Sequence, residues 1–240
     1  MRCFAISSLD YFLAIIHNLL GPVPRMNFKG TNRISRFHDE KGNFVDIAGV
    51  PNAIPAFCSA AAKRLFGYRA KVPMISYRAR QVIDNFLTPE TQMIEFGSGN
   101  STPWFAERVG KLISIEDQLP WFEHTKSLLK DRQITNVQYE FRPDNTYTDL
   151  SSIKDNSIDF ALIDGTDREG CIFAVTPKVK AGGVIYLDNS DKDMLFPDGD
   201  LRRAEKALRL AVENRAGTIR LFSDFSPTNF FVEQGILAQF

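Results

Sequence analysis

Short apolar segments alternate with segments of helical periodicity from residue 91 onward, and this alternation limits the fold more than any other feature of the sequence. Strands that repeat with a helix between each pair predict a parallel sheet covered by helices on both faces. This part of the chain therefore predicts a doubly wound α/β domain. The predicted strands are 92–96, 111–115, 136–141, 158–163 and 183–187, and the predicted helices are 102–109, 119–131, 169–180 and 200–215.

Both ends of the chain depart from this alternation. Near the carboxyl end, 218–223 and 229–235 are both strand-like and are separated by a loop that contains proline, which predicts a closing antiparallel strand. Residues 1–90 are irregular and contain several prolines, and we expect them to form a helical N-terminal extension to a domain of residues 91–240. The aromatic residues of this extension are expected either in the core, their commoner fate, or in a lid. Helices are predicted there at 56–67 and 76–87, and the lid candidates are Phe57, Phe66, Tyr68 and Tyr77.

The charge balance and the cysteines exclude some classes of protein. The 240 residues carry 29 basic and 29 acidic side chains, and the sequence pI is about 6.8. A protein that tracks nucleic-acid phosphates usually has a basic excess, so we expect no nucleic-acid partner. Cys3, Cys58 and Cys171 are odd in number and form no Cys-x-x-Cys pair. This pattern suits a reducing compartment, and the expected location is the cytoplasm.

The segment 4–20 is fairly apolar, but Asp10, His17 and Asn18 interrupt it. A membrane span needs about 20 predominantly apolar residues, and a charge in its middle costs about 2.5–3.5 kcal/mol on insertion scales. The segment is also a poor match to a signal peptide, since no small-residue cleavage site follows it. We therefore expect no transmembrane span and an amphipathic helix that packs on the domain or on a partner. Peripheral membrane contact through residues 1–20 is the alternative left open.

A glycine-containing loop follows the first predicted strand. Ligands of open α/β sheets bind outside the carboxyl ends of the strands, so the residues after each strand are the candidates for a site. Here they read Glu95-Phe-Gly97-Ser-Gly99-Asn-Ser-Thr102, and the two glycines allow a sharp turn and a close approach of the backbone to a ligand. A dinucleotide fingerprint would require glycine where Thr102 stands, which weakens the hypothesis of an NAD site. Glu95 would repel a pyrophosphate, whereas it suits a cationic amino-acid group.

Acidic residues follow three further predicted strands. Glu116-Asp117 follows the second strand, Asp164-Gly165-Thr166-Asp167 the fourth and Asp188-Asn189 the fifth. A carboxylate after the second strand accepts both hydroxyls of a ribose in dinucleotide sites. The alternative is that these acidic residues lie in solvated loops and bind nothing, because aspartate is common in turns for conformational reasons alone. The glycine loop shifts the balance towards a binding site.

These motifs resemble those of the class I S-adenosylmethionine (SAM) methyltransferases. The resemblance consists of Glu-x-Gly-x-Gly-x-Ser after the first strand, Glu after the second and Asp-Gly after the fourth, and it covers about residues 75–235. The run Asp-Gly…Ala-Gly-Gly-Val-Ile…Asp-Asn is similar to small-molecule O-methyltransferase-like members. The resemblance implies a Rossmann-like fold, SAM as the cofactor and a small-molecule acceptor, with oxygen as the expected methylated atom.

The resemblance also implies a role for each matching residue. The glycine loop would lie against the amino-acid part of SAM, and Glu95 would orient the site or hold the SAM ammonium. Glu116 would bind the ribose hydroxyls, with Asp117 as its weaker neighbour. Asp144, after the third strand, would face the adenine amine. Asp164 would border the methyl-donor pocket, and both Asp164 and Asp167 are candidates for catalysis. The full cofactor-binding set is Glu95, Gly97, Ser98, Gly99, Ser101, Glu116, Asp117, Asp144, Asp164 and Gly165.

A magnesium site is a second implication of the resemblance. Metal-dependent catechol-type O-methyltransferases place Asp after strand four and Asp-Asn after strand five around one divalent ion. Asp164, Asp188 and Asn189 match this set, and hard oxygen ligands suit Mg²⁺. The sequence departs from those enzymes in lacking the lysine that follows the first Asp, since Thr166-Asp167-Arg168 fills this stretch. In the alternative interpretation, Asp188-Asn189 forms only a turn.

Three alternatives to an O-methyltransferase differ in their sequence support. A protein of the same fold that binds a ligand or a partner without turnover is supported by the missing lysine and by the unusual N-terminal third. A nucleic-acid base methyltransferase would carry Asn/Asp/Ser-Pro-Pro-aromatic after the fourth strand, where this chain has Asp164-Gly-Thr-Asp. An aminopropyl transferase would require a longer glycine run at Gly97.

Overall fold

The computed structural model describes residues 33–240, and within this range one seven-stranded sheet organises the chain. The strands are β1 (Gln92–Phe96), β2 (Lys111–Glu116), β3 (Val137–Phe141), β4 (Ile158–Ile163), β5 (Val179–Leu187), β6 (Thr218–Ser226) and β7 (Asn229–Gln239). The helices are α1 (Ala53–Phe66), α2 (Tyr77–Phe86), α3 (Ser101–Ala106), α4 (Leu119–Asp131), α5 (Arg168–Val175) and α6 (Asp200–Asn214). Short 3₁₀ turns lie at Ile47–Asn52, Asp144–Thr146 and Thr176–Lys178.

The strand order is β3-β2-β1-β4-β5-β7-β6, and β1 to β5 pair in parallel. Only β7 runs antiparallel to its neighbours β5 and β6, which confirms the predicted Rossmann-like sheet with a closing antiparallel strand. From β1 the chain builds the sheet first towards β3 and then, from β4, on the other side. The order therefore reverses between β1 and β4, and a ligand crevice is expected at the carboxyl ends of these two strands.

Several predicted boundaries were wrong by three to five residues, and the largest differences include the two on either side of Pro177. The predicted helix 169–180 is too long, because α5 ends at Val175 and a 3₁₀ turn that contains Pro177 follows it. β5 begins at Val179 rather than at residue 183. Gly182 in this strand has φ +78°, and the pairing of β4 with β5 shifts register between Ile158 and Phe160. An irregular, bulged strand of this kind weakens the periodicity from which strands are predicted.

Apolar side chains fill both faces of the sheet. On one face, β1 contributes Ile94 and Phe96 to a cluster that includes Leu208 of α6. On the other face, the fully buried Phe105 and Phe160 pack with Ile83 of α2. The helices therefore cover both faces, as the apolar strands predict.

Residues 33–46, called the N-terminal strap below, cross the β6–β7 end of the sheet. The strap is held by buried polar contacts as well as by apolar packing. Asp191, in the loop after β5, accepts hydrogen bonds from the backbone N–H groups of Glu40 (3.0 Å) and Gln234 (3.1 Å). It also lies 3.7 Å from the guanidinium of Arg33 and 3.9 Å from the ammonium of Lys192. Because Asp191 is fully buried, this network links the strap to the sheet core.

The amphipathic helix and the alternative of peripheral membrane contact were predicted for residues 1–20, which lie outside the described residues. Among residues 33–240, no helix is both long and apolar enough to span a bilayer.

Candidate functional site

The loop after β1 touches the loop after β4 at Gly97. This glycine has φ +87°, and its N–H donates to the carbonyl of Ile115 at 2.9 Å. A Cβ at Gly97 would lie 2.7 Å from the backbone nitrogen of Gly165. No side chain fits there, so the contact between the two loops requires glycine. Nothing lies within 4 Å of the Cβ position of Gly99, which leaves that part of the loop open to the crevice.

Glu95 is fully buried and holds the glycine loop in place. Its carboxylate accepts hydrogen bonds from the hydroxyls of Ser101 (2.9 Å), Thr102 (2.7 Å) and Ser114 (2.8 Å). The Thr102 hydroxyl in turn accepts from the Gly99 N–H at 3.1 Å. Burial raises the pKa of Glu95 to about 7, although the three hydroxyls favour the ionised form. Of its two predicted roles, orienting the site is the one that these contacts support.

Glu116 is buried at the end of β2 and fixes the other side of the same loop. Its carboxylate accepts from the Ser98 N–H at 2.8 Å, the Ser98 hydroxyl at 2.7 Å and the Gln118 N–H at 2.9 Å. A carboxylate offers about four lone-pair sites, so these donors leave about one for a ligand. Asp117 is half-buried and accepts from one side chain, the Thr166 hydroxyl at 2.9 Å. Asp117 has fewer hydrogen-bond partners within the chain than Glu116, so it has more capacity to accept hydrogen bonds from a ligand.

A cavity of about 340 Å³ lies where these loops meet. This volume is at the lower end of the range typical of small-molecule sites, about 300–1,000 Å³. Two of its walls are the rim that the sequence predicted, and a third wall comes from the linker between α1 and α2. The predicted residues on its lining are Gly97, Ser98, Gly99, Ser101, Glu116, Asp117, Asp164 and Gly165.

Two kinds of lining residue were missed by sequence reasoning. The linker contributes Arg69 and the run 72–75 to the cavity wall, whereas the aromatic lid candidates do not line it. Trp121, near the start of α4, also lies on the wall and is 41% exposed. The position of Trp121 shortly after the acidic pair was the only signal in the sequence for its role. The sequence of the linker gave no signal of its role in the cavity wall, because the position of the linker depends on how α1 and α2 pack on the sheet.

Asp167 does not line the cavity. It has φ +41°, is exposed, and accepts a hydrogen bond from the Gly170 N–H at 3.2 Å as the N-cap of α5. Asx residues are preferred at this position because they satisfy a free N–H of the first turn. The structure thus shows a capping contact for Asp167, outside the cavity where the prediction would place a catalytic group. The side chain of Asp144 lies outside the described part of the chain.

Asp164 and Asp188, at the ends of the neighbouring strands β4 and β5, form a coupled pair. Asp188 is buried, and burial together with the negative charge of Asp164 raises its pKa well above the ordinary value. The Asp164 side chain is 40% exposed and lines the cavity. Loss of bulk water raises its pKa too, while nearby Arg168 and a hydrogen bond with Asp188 oppose the rise. The pair therefore retains a proton more readily than two separate carboxylates would.

The guanidinium of Arg168 lies among the oxygens of this strand edge. Nη1 donates to the Asp188 carbonyl at 2.6 Å, Nε to the Gly165 carbonyl at 2.9 Å and Nη2 to the Asp164 carbonyl at 3.1 Å. Nη2 also lies 3.4 Å from Oδ1 of Asp164. A permanently positive group thus already neutralises the edge where the magnesium site was predicted.

The structure does not support the predicted Mg²⁺ site. Asn189 follows Asp188 in a tight turn with φ +54°, and its carbonyl accepts from the Lys192 N–H at 3.0 Å. Within residues 33–240, no group of three or more His, Cys, Asp or Glu side chains is placed to hold a metal ion. The turn interpretation of Asp188-Asn189 agrees with this geometry, and the magnesium prediction is not supported.

Comparison with solved structures gives the fold of the whole arrangement. An rRNA methylase from Streptococcus thermophilus matches with a TM-score of 0.52 and 16% identity, over 70% of this chain and 98% of that chain. A SAM-dependent O-methyltransferase from Thermotoga maritima matches with a TM-score of 0.52 and 14% identity, over 75% of this chain and 70% of that chain. The chain has the class I methyltransferase fold.

A third match adds a ligand to the comparison. A Streptococcus mutans protein described as a methyltransferase, solved in complex with SAH, matches with a TM-score of 0.51 and 13% identity. The match covers 68% of this chain and 96% of that chain. No protein-family model matches the sequence, and neither does any curated protein sequence. The likeness at these identities is one of fold.

Proposed function

We propose that this chain is a SAM-dependent methyltransferase that acts on a small-molecule acceptor, with oxygen as the methylated atom. The observation that carries the proposal is the cavity at the switch point of the sheet, lined by the loop of Gly97 and Gly99 and by three carboxylates at the strand ends. The contact of Gly97 with Gly165 and the open space at Gly99 form a cradle that side chains would fill. The rim suits a ligand with a cationic amino-acid end and a ribose.

Each part of the cavity would hold one part of SAM. The loop of Gly97, Ser98, Gly99 and Ser101 would face the amino-acid end, while Glu95 holds this loop from below. The remaining lone pair of Glu116 and the freer carboxylate of Asp117 would accept the ribose hydroxyls. Asp164 and Gly165 would border the methyl donor. SAM would supply an activated methyl group on a sulfonium.

The residues of the chain would contribute mainly positioning and exclusion of water. The linker residues 72–75 line the cavity together with the glycine loop, and they would help to position a bound ligand and to shield it from water. Asp164 is the carboxylate placed to accept the proton of an acceptor hydroxyl, and its raised pKa makes it a stronger base than a solvated aspartate. Asp167 has no place in this step, because it caps α5 outside the cavity.

The proposal of a small molecule rather than a nucleic acid rests on charge and enclosure. The net charge of the chain is zero, and the cavity is lined by Glu116, Asp117 and Asp164, with Arg69 as the basic residue on its wall. This acidic surface would repel a phosphate backbone. An rRNA methylase shares the fold, so RNA is the alternative acceptor that a test should include.

The chain's few scattered cysteines support a location in the cytoplasm.

One observation favours a ligand-binding protein without turnover as a second candidate. Glu95 and Glu116, the two carboxylates expected to contact SAM, are largely engaged by donors of the chain itself. Such engagement stabilises the loop whether or not a reaction follows. Methyl transfer to an acceptor in a screen with labelled SAM would exclude this candidate.

The test is calorimetric titration with SAM and, as a comparison ligand, NAD⁺. We expect SAM to bind in the micromolar range and NAD⁺ not to bind. Glu116→Ala should weaken SAM binding at least several-fold, since the ribose loses a charged partner and Ser98 loses its anchor. Glu123→Ala removes an exposed carboxylate from α4 and is the matched control, for which we expect unchanged affinity. Absence of SAM binding by the folded wild-type chain would refute the proposal.

A further inference from the structure

We infer that Arg168 is a built-in cation: its guanidinium neutralises and positions the ends of β4 and β5, and the site takes no divalent metal. The inference concerns the same site as the proposed function and deepens it, because it assigns a positioning residue to the acceptor side of the cavity. The contacts of Arg168 are properties of the chain itself, so they can be tested without SAM or an acceptor.

Every nitrogen of the Arg168 guanidinium has an oxygen partner from a strand end. The three backbone carbonyls belong to Asp164, Gly165 and Asp188, and the fourth oxygen is Oδ1 of Asp164. The side chain of Arg168 is only 12% exposed, so these bonds form largely away from bulk water. Parallel strands β4 and β5 end side by side at this edge, and their terminal residues lack the partners that a longer ladder would supply. One side chain satisfies both ends.

The carbonyl and carboxylate oxygens at the ends of β4 and β5 require a cation, and Arg168 supplies it in place of a metal ion. Carbonyl and carboxylate oxygens are the ligands that Mg²⁺ and Mn²⁺ prefer. Asp164 and Asp188 would bring two negative charges to one edge if both ionised, and Arg168 is the neighbouring positive charge for both. A guanidinium does not lose its proton in a protein, so its charge is permanent. A divalent ion at these oxygens would have to displace this fixed charge or lie against it.

The backbone of Arg168 is held by a separate set of contacts. Its N–H donates to Oδ2 of Asp200 at 2.9 Å, and the N–H of Glu169 donates to Oδ1 of Asp200 at 3.2 Å. Asp167 caps the same helix. Asp200 and Asp167 therefore both fix the first turn of α5. This fixed backbone directs the Arg168 side chain towards the ends of β4 and β5. The capping role of Asp167 and the position of Arg168 belong to one arrangement.

The experiment titrates the 240-residue chain with Mn²⁺ alone and counts bound ions by electron paramagnetic resonance. The variants are Arg168→Met, which removes the charge, Arg168→Lys, which keeps it, and Arg168→Met combined with Asp188→Asn. Arg203→Met is the matched control, because Arg203 lies near the same helix but pairs with Glu169 and Asp200 on the surface. Circular dichroism and thermal unfolding establish that each variant is folded.

We expect the wild type, Arg168→Lys and Arg203→Met to bind no Mn²⁺ at this edge. We expect Arg168→Met to gain a Mn²⁺ site, and the added Asp188→Asn change to abolish it. A purely structural role of Arg168 would not produce such a gain. Mn²⁺ bound by the wild type and lost in the double variant would overturn the inference, and so would an Arg168→Met chain that is folded but binds no Mn²⁺. If Arg168→Met does not fold, Arg168→Gln takes its place with the same expectations.

SAM titration of the same variants separates this inference from the proposed function. We expect Arg168→Met to bind SAM several-fold more weakly, because Asp164 and Gly165, which line the cavity, lose the guanidinium that holds their carbonyl groups. Arg168→Lys should recover part of this loss, and chelation with EDTA should leave wild-type SAM binding unchanged. If the wild type fails to bind SAM while the Mn²⁺ results hold, the proposed function fails and the inference stands. Loss of wild-type SAM binding on chelation would overturn the inference.

Discussion

Replacing Glu95 with glutamine tests the electrostatics of the loop support directly. Glu95 is fully buried beneath the loop after β1, and its carboxylate has three hydroxyl partners and no cationic one among the described residues. Burial raises its pKa from the ordinary value of 4.5 to about 7. A glutamine of the same shape keeps the hydrogen-bonding position but cannot ionise.

The pKa of Glu95 makes the stability of the wild type fall as pH rises through a defined window. Above pH 4.5 the unfolded chain releases the Glu95 proton, whereas the folded chain retains it up to about pH 7. The unfolded state then binds fewer protons than the folded state, so the free energy of unfolding decreases with pH. One pKa unit corresponds to about 1.4 kcal/mol, and a rise from 4.5 to about 7 corresponds to a loss of about 3 kcal/mol.

Urea unfolding between pH 4.5 and pH 8 measures this loss. The quantity to follow is the free energy of unfolding of Glu95→Gln minus that of the wild type. We expect this difference to increase from its value at pH 4.5 as pH rises and to level off above about pH 7. Glu90→Gln is the control, since Glu90 is exposed just before β1. Its pH profile should follow the wild type. Parallel profiles for Glu95→Gln and the wild type would refute the assignment of a buried, largely protonated carboxyl at this position.

Two further predictions concern the contact between loops and the N-terminal strap. Gly97→Ala should lower the free energy of unfolding by about 2–5 kcal/mol, because it combines a left-handed φ with a Cβ 2.7 Å from the Gly165 nitrogen. Gly99→Ala, with open space at its Cβ position, should change stability by less than about 1 kcal/mol, and equal losses in the two variants would contradict the clash. Asp191→Ala should cost about 3–5 kcal/mol in urea unfolding, since it leaves the buried Arg33 guanidinium and two backbone N–H groups without this acceptor. Asp198→Ala, in the exposed part of the same loop, is the control, and a similarly small loss for Asp191→Ala would show that the strap is held by apolar packing alone.

The sheet was predictable because its signals are local. β1 and β4 have the predicted bounds 92–96 and 158–163, and α4 covers the predicted 119–131. In each of these elements the apolar periodicity extends to the ends, and turn residues follow directly. The prediction was less accurate around Pro177 and Gly182, where a 3₁₀ turn and a bulged strand give no clean period.

The position of the candidate site could also be predicted from the sequence. Parallel strands all end on one edge of a sheet, so the acids and glycines that follow successive strands must meet there once the topology is known. Gly97, Asp117 and Asp164 accordingly line one cavity, although they are spread over nearly 70 residues of the chain.

Only the tertiary structure decided what each of these side chains contacts. Glu116 meets Ser98, 18 residues away, and Arg168 meets the carbonyl of Asp188, 20 residues away. Such contacts depend on the angle between a strand and the loop beside it, and no local pattern encodes that angle. The sequence by itself therefore determined the sheet and the edge that carries the site. The packing of loops and helices determined that Glu95 supports the loop, that Asp167 caps a helix and that a guanidinium stands where a metal was expected.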